Sequence, residues 1–394
     1  MASHRRWKRR IRRLVTHTVV AVVAVAVTYT LCWKEEEPPS KLQQLEKLLT
    51  ECFIGQTNQV AIEDAAATGM VDALGDRWSH YIPASEYDAH KEQLENAYVG
   101  IGITVSREDE NSGIEILAVN PAGGAMKAGI LAGDIITEVD GKQIKQLSVD
   151  AVSELIRGEE GTEVSLTVLR KEQKLQFSVT RMHIEVPVAQ GQMLENSIGL
   201  VKINNFDDRC AEETIAAIEE LVGQGAKALI FDVRGNPGGF KTELVKVLDY
   251  LLPEGPLFRS LYYTGKEEVD NSDAKHLDLP MAVLINGRSY SAAEFFAAAL
   301  EEYDWAVLVG EPTVGKSYFQ QTVRLDDGSA VALSVGKYTT PKGVSLAEEG
   351  GLKPEIQVEV DKETANKIYA GTLAPEEDPQ IQAAIEALMP ELAG

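Results

Sequence analysis

NGRSYSAAE, residues 286–294, stands between the apolar run MAVLI (281–285) and the stretch FFAAAL (295–300). Five apolar residues stopped by Asn-Gly and followed by an alanine-rich segment read as a buried strand that turns sharply into a helix. Two serines fall in that turn. Ser291 with Glu294 fits the S-x-x-E capping box, in which the serine hydroxyl accepts the Glu294 N–H and the glutamate reaches back to the serine N–H. The same turn can instead leave a hydroxyl exposed at a strand end and aim the Ala292 N–H at a developing oxyanion. Histidine, the usual partner of a reactive serine, occurs at positions 4, 17, 80, 90, 183 and 276, none of them in a motif built for that task.

Outward from this turn, strands and helices alternate. IGLVKINNF (198–206) reads as a strand, CAEETIAAIEELVGQG (210–225) as a helix ended by glycine, and KALIFDV (227–233) as a buried strand. The helix TELVKVLDYLL, the strand MAVLI, the helix SAAEFFAAALEEY and the strand WAVLVG continue the series. This is the pattern of an α/β core whose site lies at the carboxyl ends of its strands. DVRGNPGG (232–239) closes the strand KALIF. Its Gly238 and Gly239 either let the backbone approach a substrate and supply a second oxyanion N–H, or simply make a tight strand-to-helix turn.

A serine hydroxyl needs a base, and Lys316 in VLVGEPTVGKSYFQ (307–320) is a candidate. Lysine is a base only when neutral, which requires burial or neighbouring charge to bring its pKa from about 10.4 to about 7–8. Tyr318 and Phe319 offer dry walls, and Gln320 a hydrogen bond to the amine. Residues 310–317, GEPTVGKS, also fit the phosphate-binding pattern G-x-x-x-x-G-K-[ST]. That pattern must open into a helix. The sequence continues instead as YFQQTVRL, DDG and SAVALSV, a β-hairpin turning at Asp326–Gly328, so nucleotide binding is not expected.

Upstream the texture differs. KLQQLEKLL and IEDAAATGMVDAL have helical periodicity, and GDRWSHYIP (75–83) interrupts them with turn residues, which reads as a small helical bundle. From Tyr98 to about His183, short β-like runs surround one helix, VDAVSELIRG (149–158). YVGIGI (98–103) followed by NPAGGAMKAGILAGDIITEVDG (120–141) resembles a PDZ domain. In such a domain, N–H groups of a glycine-containing loop hold a peptide carboxylate while the next strand pairs with the peptide. Val99, Gly100, Ile101, Gly102 and Ile103 are the candidate binding residues.

The chain has 394 residues, 44% hydrophobic and 25% charged, enough for two or three domains. Its net charge of −23 is uneven: residues 1–34 contain eight Lys or Arg and no acid, leaving 30 basic against 61 acidic residues, or −31, in the remainder. Such a body repels nucleic acid. The basic head RRWKRRIRR (5–13) precedes LVTHTVVAVVAVAVTYTLCW (14–33), about the 20 residues that span a bilayer. Charge before the span and KEEEPPS after it put the N-terminus in the cytoplasm and the body outside the cell membrane as a single-pass protein. A cleaved signal peptide is the alternative, with Ala24 and Ala26 as an A-x-A site, but the apolar run continues beyond it. Cys32, Cys52 and Cys210 suggest neither a disulfide framework nor a zinc site.

Taken together, SYSAAE, GKSYFQ and DVRGNPGG resemble the C-terminal processing peptidases, or tail-specific proteases, serine peptidases with a Ser/Lys dyad. The resemblance runs from about Ala65 through GMVDALGDRWSHY to PEIQV (354–358). It implies a crotonase-like α/β core with an inserted PDZ domain and a helical N-terminal region. It assigns the nucleophile to Ser291, the base to Lys316, the supporting amide to Gln320, and the oxyanion hole to the N–H groups of Gly238 and Ala292, with neither metal nor other cofactor. Three residues depart from the family pattern: Tyr290 replaces an alanine, Ser317 a glycine, and Glu355 an aspartate.

The expected organisation is a basic head and anchor (1–33), a helical region (34–97), a PDZ domain (98–183), an α/β protease core (184–372) and a helical tail (373–394). Expected partners are protein or peptide substrates held by the PDZ domain and the membrane, but not nucleic acid. The resemblance adds homo-oligomerisation, with the helical region and the tail DPQIQAAIEALMPEL as packing surfaces. Arg157, at the end of the PDZ helix, is expected to contact the protease body when the cleft opens, although the helix dipole already explains an arginine in a last turn. The competing function is a catalytically silent PDZ adaptor that captures protein C-termini.

Overall fold

The computed structural model of the chain describes residues 2–32, 38–107 and 113–392, and the chain divides into two compact units, 1–69 and 70–394. In the first unit a helix covers Ala2–Cys32, and its valines from Val15 to Val27 are half or more exposed. Among the described residues no helix is long and apolar enough to cross a membrane, and position 33 of the expected span lies outside them. The helix Lys41–Cys52 starts at a capping box: Gln43 N–H donates to Ser40 Oγ at 3.2 Å and Ser40 N–H to Gln43 Oε1 at 2.8 Å. None of its residues is buried.

The second unit holds the alternating core. Ala189–Met193, Ile198–Ile203, Ala228–Asp232, Met281–Ile285, Ala306–Gly310 and Ile356–Gln357 form one sheet in that order, the first pair antiparallel and the rest parallel. The central strands are apolar on both faces because both faces are covered. Leu229, Phe231 and Val283 pack on one side with Leu244, Val247 and Phe296 of the crossover helices, while Ala228, Ile230 and Leu284 meet Ile381, Ala384 and Leu388 on the other. The tail helix Pro379–Leu392, expected to offer a subunit contact, thus covers its own sheet. Phe295 and Phe296, both buried, seat the helix Ala292–Glu302, each such side chain contributing about 1.5–3 kcal/mol.

A second, antiparallel sheet pairs Tyr318–Arg324 with Ala330–Thr339, and the latter with His80–Ile82 and Gly255–Tyr262. The segment after Lys316 is therefore a strand, and the helix that phosphate binding requires is absent from this position. Residues 80–82, expected within a helical bundle, are a strand of this sheet. The turn before them does not merely break a helix: Ser79 Oγ accepts the Ser334 N–H at 3.0 Å and fastens the turn to the sheet.

The insert between these parts is an antiparallel sheet of Ile103–Ser106, Ile114–Val119, Ile135–Val139, Glu163–Arg170 and Gln173–Thr180, with Ile114, Ile136, Val164 and Leu166 in its core. Ala97–Gly100 pairs antiparallel with Met182–Glu185 and draws the two ends of the insert together.

Candidate active site

The turn after Met281–Ile285 is tied to the exit of the neighbouring strand. Ser289 is fully buried; its hydroxyl donates to the Val233 carbonyl at 2.7 Å and accepts the Asn286 N–H at 3.1 Å. Asn286 Oδ1 accepts the Gly235 N–H at 3.0 Å. Ser289 is thereby a structural staple, its oxygen occupied from both sides. Ser291 follows with φ 58° and ψ −126°, a combination that glycine ordinarily occupies and that costs a serine about 1–3 kcal/mol. Its capping box is present but uneven: Ser291 N–H donates to Glu294 Oε2 at 2.9 Å, whereas the Glu294 N–H, which faces the serine side chain, makes its hydrogen bond to the Ser291 carbonyl at 2.9 Å. Ala292, as the first helical residue, has no intrahelical acceptor for its N–H.

Gly238 lies directly against this turn. A Cβ there would stand 2.7 Å from Ser291 Cβ and 2.9 Å from Ala292 N, and its φ is +92°, so the position requires glycine on both counts. The Gly238 N–H, expected to face an oxyanion, is engaged: it donates to Asn236 Oδ1 at 2.8 Å, closing an Asx turn. Gly239 bridges to Phe206, whose carbonyl takes the Phe240 N–H and whose N–H goes to the Gly238 carbonyl at 2.7 Å. Tyr290 N–H donates to the Asn236 carbonyl at 3.2 Å and locks the two loops together.

Lys316 reaches the same place through Glu294. This carboxylate is fully buried and accepts the Thr313 hydroxyl at 2.5 Å, the Gly315 N–H at 2.6 Å and the Lys316 N–H at 2.9 Å, besides the Ser291 N–H. One oxygen, Oε2, receives the backbone N–H groups of both Ser291 and Lys316. The lysine amine lies 4.5 Å from the centre of the Trp78 ring, which stacks on Tyr290 at 6.0 Å and carries the Arg77 guanidinium at 4.2 Å. Burial lowers the Lys316 pKa to about 8; Asp76 and Glu294 pull it upward and Arg77 adds to the lowering. Burial also pushes Asp76 upward, but hydrogen bonds from Ser334, Ser79 and the Trp78 and Ser79 N–H groups outweigh it and keep the carboxyl below its ordinary value. No hydrogen bond joins Ser291 Oγ to Lys316 Nζ among the described residues; the amine rests on the indole.

Gln320 is not bonded to Lys316. Its amide donates to Ser334 Oγ at 2.9 Å and to the Tyr318 carbonyl at 3.3 Å, so it stands one hydroxyl away from Asp76. Tyr290, the departure in the serine motif, forms the wall behind Trp78. Ser317 accepts the Ala347 N–H at 2.9 Å and so ties down the following loop.

The expected peptide-binding residues divide. Val99 and Gly100 pair with His183 and Met182, Ile101 is buried in the insert's core, and Gly102 at φ +78° opens the strand that begins at Ile103. Among the described residues that strand, Ile103–Ser106, pairs only with Ile114–Val119 and lies at the edge of its sheet. Arg157 ends the helix Val149–Ile156; partial burial raises the pKa of the half-buried Tyr98 hydroxyl, and the Arg157 charge opposes that rise.

Three residues at the site were not singled out for it in the sequence: Glu294, Asp76 and Trp78. Glu294 carried a signal that pointed to a helix cap, and the polar-aromatic cluster of GDRWSHY was legible only as a turn.

A serine at a strained strand-to-helix turn, a partly buried lysine and an adjacent glycine loop are the groups a hydrolase of the serine class would use. The comparisons with known proteins agree. The family description "Peptidase family S41" matches residues 197–358, and "PDZ domain" matches 115–170. The carboxy-terminal processing protease CtpA of Bacillus subtilis (strain 168) is 32% identical over 369 residues, covering 90% of this chain and 78% of that protein. A protein of Staphylococcus haemolyticus (strain JCSC1435) described as a CtpA-like serine protease is 30% identical over 348 residues, covering 86% of this chain and 69% of its own. In fold, a crystal structure from Bacteroides fragilis NCTC 9343 described as an S41 protease superposes with a TM-score of 0.52 at 16% identity, covering 91% of this chain and 99% of that one. The chain belongs to peptidase family S41 and is a C-terminal processing serine protease with a PDZ domain.

Proposed function

We propose that the chain is a membrane-anchored, extracytoplasmic endopeptidase in which Ser291 and Lys316 form the catalytic dyad. Neutral Lys316 takes the Ser291 proton as the hydroxyl attacks the peptide carbonyl, and the resulting ammonium gives that proton to the leaving amine. The acyl group stays on Ser291 until water, activated by the same amine, removes it. The Ala292 N–H, at a helix N-terminus, stabilises the oxyanion together with the Gly238 N–H once the Asn236 side chain releases it. Lys316 leaves the Trp78 face and turns to Ser291 when substrate fills the site. Gln320 acts at one remove, through Ser334 and Asp76.

The observation that carries this reading is the single Glu294 oxygen that accepts N–H groups from both Ser291 and Lys316, with burial bringing the lysine to about 8. Because the neutral amine is the active form, kcat/KM rises with pH through about 8 and is lost below it. The test is peptidase activity on an unfolded substrate with a free C-terminus for the native chain, Ser291→Ala and Lys316→Ala. Both variants lose activity; cleavage by both would refute the dyad, and binding without cleavage by the native chain would favour an adaptor.

Residues 99–103 bind the substrate's terminal carboxylate, and its C-terminal residues add to the free edge of Ile103–Ser106. Amidating that carboxylate slows cleavage, and an unchanged rate would reject the binding site. The boundaries proposed are those read from the sequence: anchor 1–33, helical region 34–97, PDZ domain 98–183, core 184–372 and tail 373–394. The exposed valines of the first helix and the charge asymmetry about them support the anchor.

A further inference from the structure

One buried ionic cluster stands outside the chemistry above. Arg234 follows the strand Ala228–Asp232 and is almost fully buried. Its Nε and one terminal nitrogen donate to Asp232 Oδ1 and Oδ2 at 2.8 and 2.7 Å, a bidentate pair. The other terminal nitrogen donates to Gln380 Oε1 at 2.8 Å and stands 2.9 Å from Asp378 Oδ2. Asp378 and Gln380, 2% and 1% exposed, begin the tail helix: Asp378 Oδ1 accepts the Gln380 N–H at 3.0 Å, and the Gln380 amide donates to the Val358 carbonyl at 2.7 Å. An ion cluster this dry contributes little net stability, because the attraction is offset by the cost of removing the charges from water. The tail helix already has an apolar face in Ile381, Ala384 and Leu388 to hold it down. What the cluster adds is a fixed direction for Arg234.

The residues that follow Arg234 are those that meet Ser291. Gly235 N–H is held by Asn286, Asn236 receives the Tyr290 N–H and holds the Gly238 N–H, and Gly238 touches Ser291 and Ala292. We propose that Asp378 and Gln380 are positioning residues for peptide cleavage: from the tail they fix Arg234, and through it they hold the 235–239 turn against Ser291 and Ala292. This rests on the reading of Gly238 and Ala292 as the oxyanion cradle, and it gives a segment far along the chain a part in the chemistry without touching the substrate.

The test compares full-length Asp378→Asn and Gln380→Ala with Glu386→Ala, an exposed change on the same helix. Four quantities are read: kcat and KM on a peptide substrate, affinity for a peptide boronate whose tetrahedral adduct occupies the cradle, affinity for the cleaved product peptide, and the melting temperature. Asp378→Asn lowers kcat roughly 10- to 100-fold, as a displacement near 1 Å does. KM and product affinity stay within about twofold, because ground-state binding is untouched. Boronate affinity falls in step with kcat, Gln380→Ala has the same effect on a smaller scale, and Glu386→Ala leaves all four unchanged. Should Asp378→Asn not fold, Gln380→Ala decides, since it removes only a neutral amide, the acceptor for Arg234 and the donor to the Val358 carbonyl, and leaves both carboxylates. Unchanged kcat and boronate affinity in the folded variants would overturn the inference, as would losses that merely track the unfolded fraction. If Ser291→Ala is inactive while these variants are fully active, only the positioning role fails; if Ser291→Ala still cleaves, the underlying site assignment fails.

Discussion

Two helices of this chain begin with the same local pattern and use it oppositely. At Ser40 the serine has extended φ/ψ of −58° and 162°, its hydroxyl accepts the Gln43 N–H, and no residue of the helix is buried. At Ser291 the φ/ψ are 58° and −126°, the Glu294 N–H bonds the serine carbonyl rather than its hydroxyl, and Glu294 gathers four donors from two separate loops. The first is a capping box that serves its helix. In the second, the strained backbone weakens the hydroxyl's part in the cap, and the glutamate that completes it binds the lysine loop as well. An S-x-x-[EQ] pattern thus reports a helix start in both places, and only at Ser291 does the backbone leave the ordinary cap geometry.

Substitutions at the two starts sharpen this contrast. Glu294→Gln has the largest expected effect after loss of the dyad itself. It leaves buried N–H groups with a weaker or missing acceptor, each costing about 1–3 kcal/mol, and loosens Ser291 from Lys316, so kcat and melting temperature fall together. In whatever activity remains, the pH midpoint moves below about 8, because the carboxylate that raised the lysine pKa is gone. Gly238→Ala comes next: a methyl group 2.7 Å from Ser291 Cβ displaces one loop or the other, and kcat falls roughly 100-fold or more with peptide binding retained.

Trp78→Ala admits water to the lysine and raises its pKa toward the free value. The pH profile moves to the alkaline side, and activity at neutral pH falls about tenfold for every pH unit the midpoint climbs. A profile that stays at about 8 would show that the indole is not what dries the amine. The smallest effect is at the other helix: Ser40→Ala costs about 1 kcal/mol of local helix stability, seen as faster amide exchange at residues 41–44, and leaves peptidase activity unchanged.

Much of this was legible in the sequence because it depends on local pattern. The runs MAVLI (281–285) and ALIF (228–231) are apolar at every position, which signals burial on both faces, and the DDG turn after Lys316 announced a hairpin and so argued against a nucleotide site. Ser291, Lys316 and the glycine loop stood out by residue type and order. What escaped depended on partners distant in sequence. Trp78 and Asp76 acquire meaning only when the second sheet folds residues 76–82 beside Lys316, and Glu294 looked like a cap because the cap and the site share its bond to the Ser291 N–H. The engaged state of the Gly238 N–H was hidden for a related reason: Asn236 makes the Asx turn with a side chain whose conformation no motif specifies. Gln320 was expected at the lysine on resemblance, yet the bulge between Phe319 and Gln320 accompanies an amide turned toward Ser334.

The most direct test of the central claim is to trap the acyl-enzyme. Native chain mixed with an activated ester of a short peptide is quenched in acid within the first turnover and digested, and the peptide spanning residues 286–294 is sequenced by mass spectrometry. The acyl mass is expected on Ser291, absent from Ser289 at every time, and absent altogether in Lys316→Ala on the same timescale. An adduct on Ser289, or undiminished peptide cleavage by Ser291→Ala with no adduct in this segment, would contradict the account.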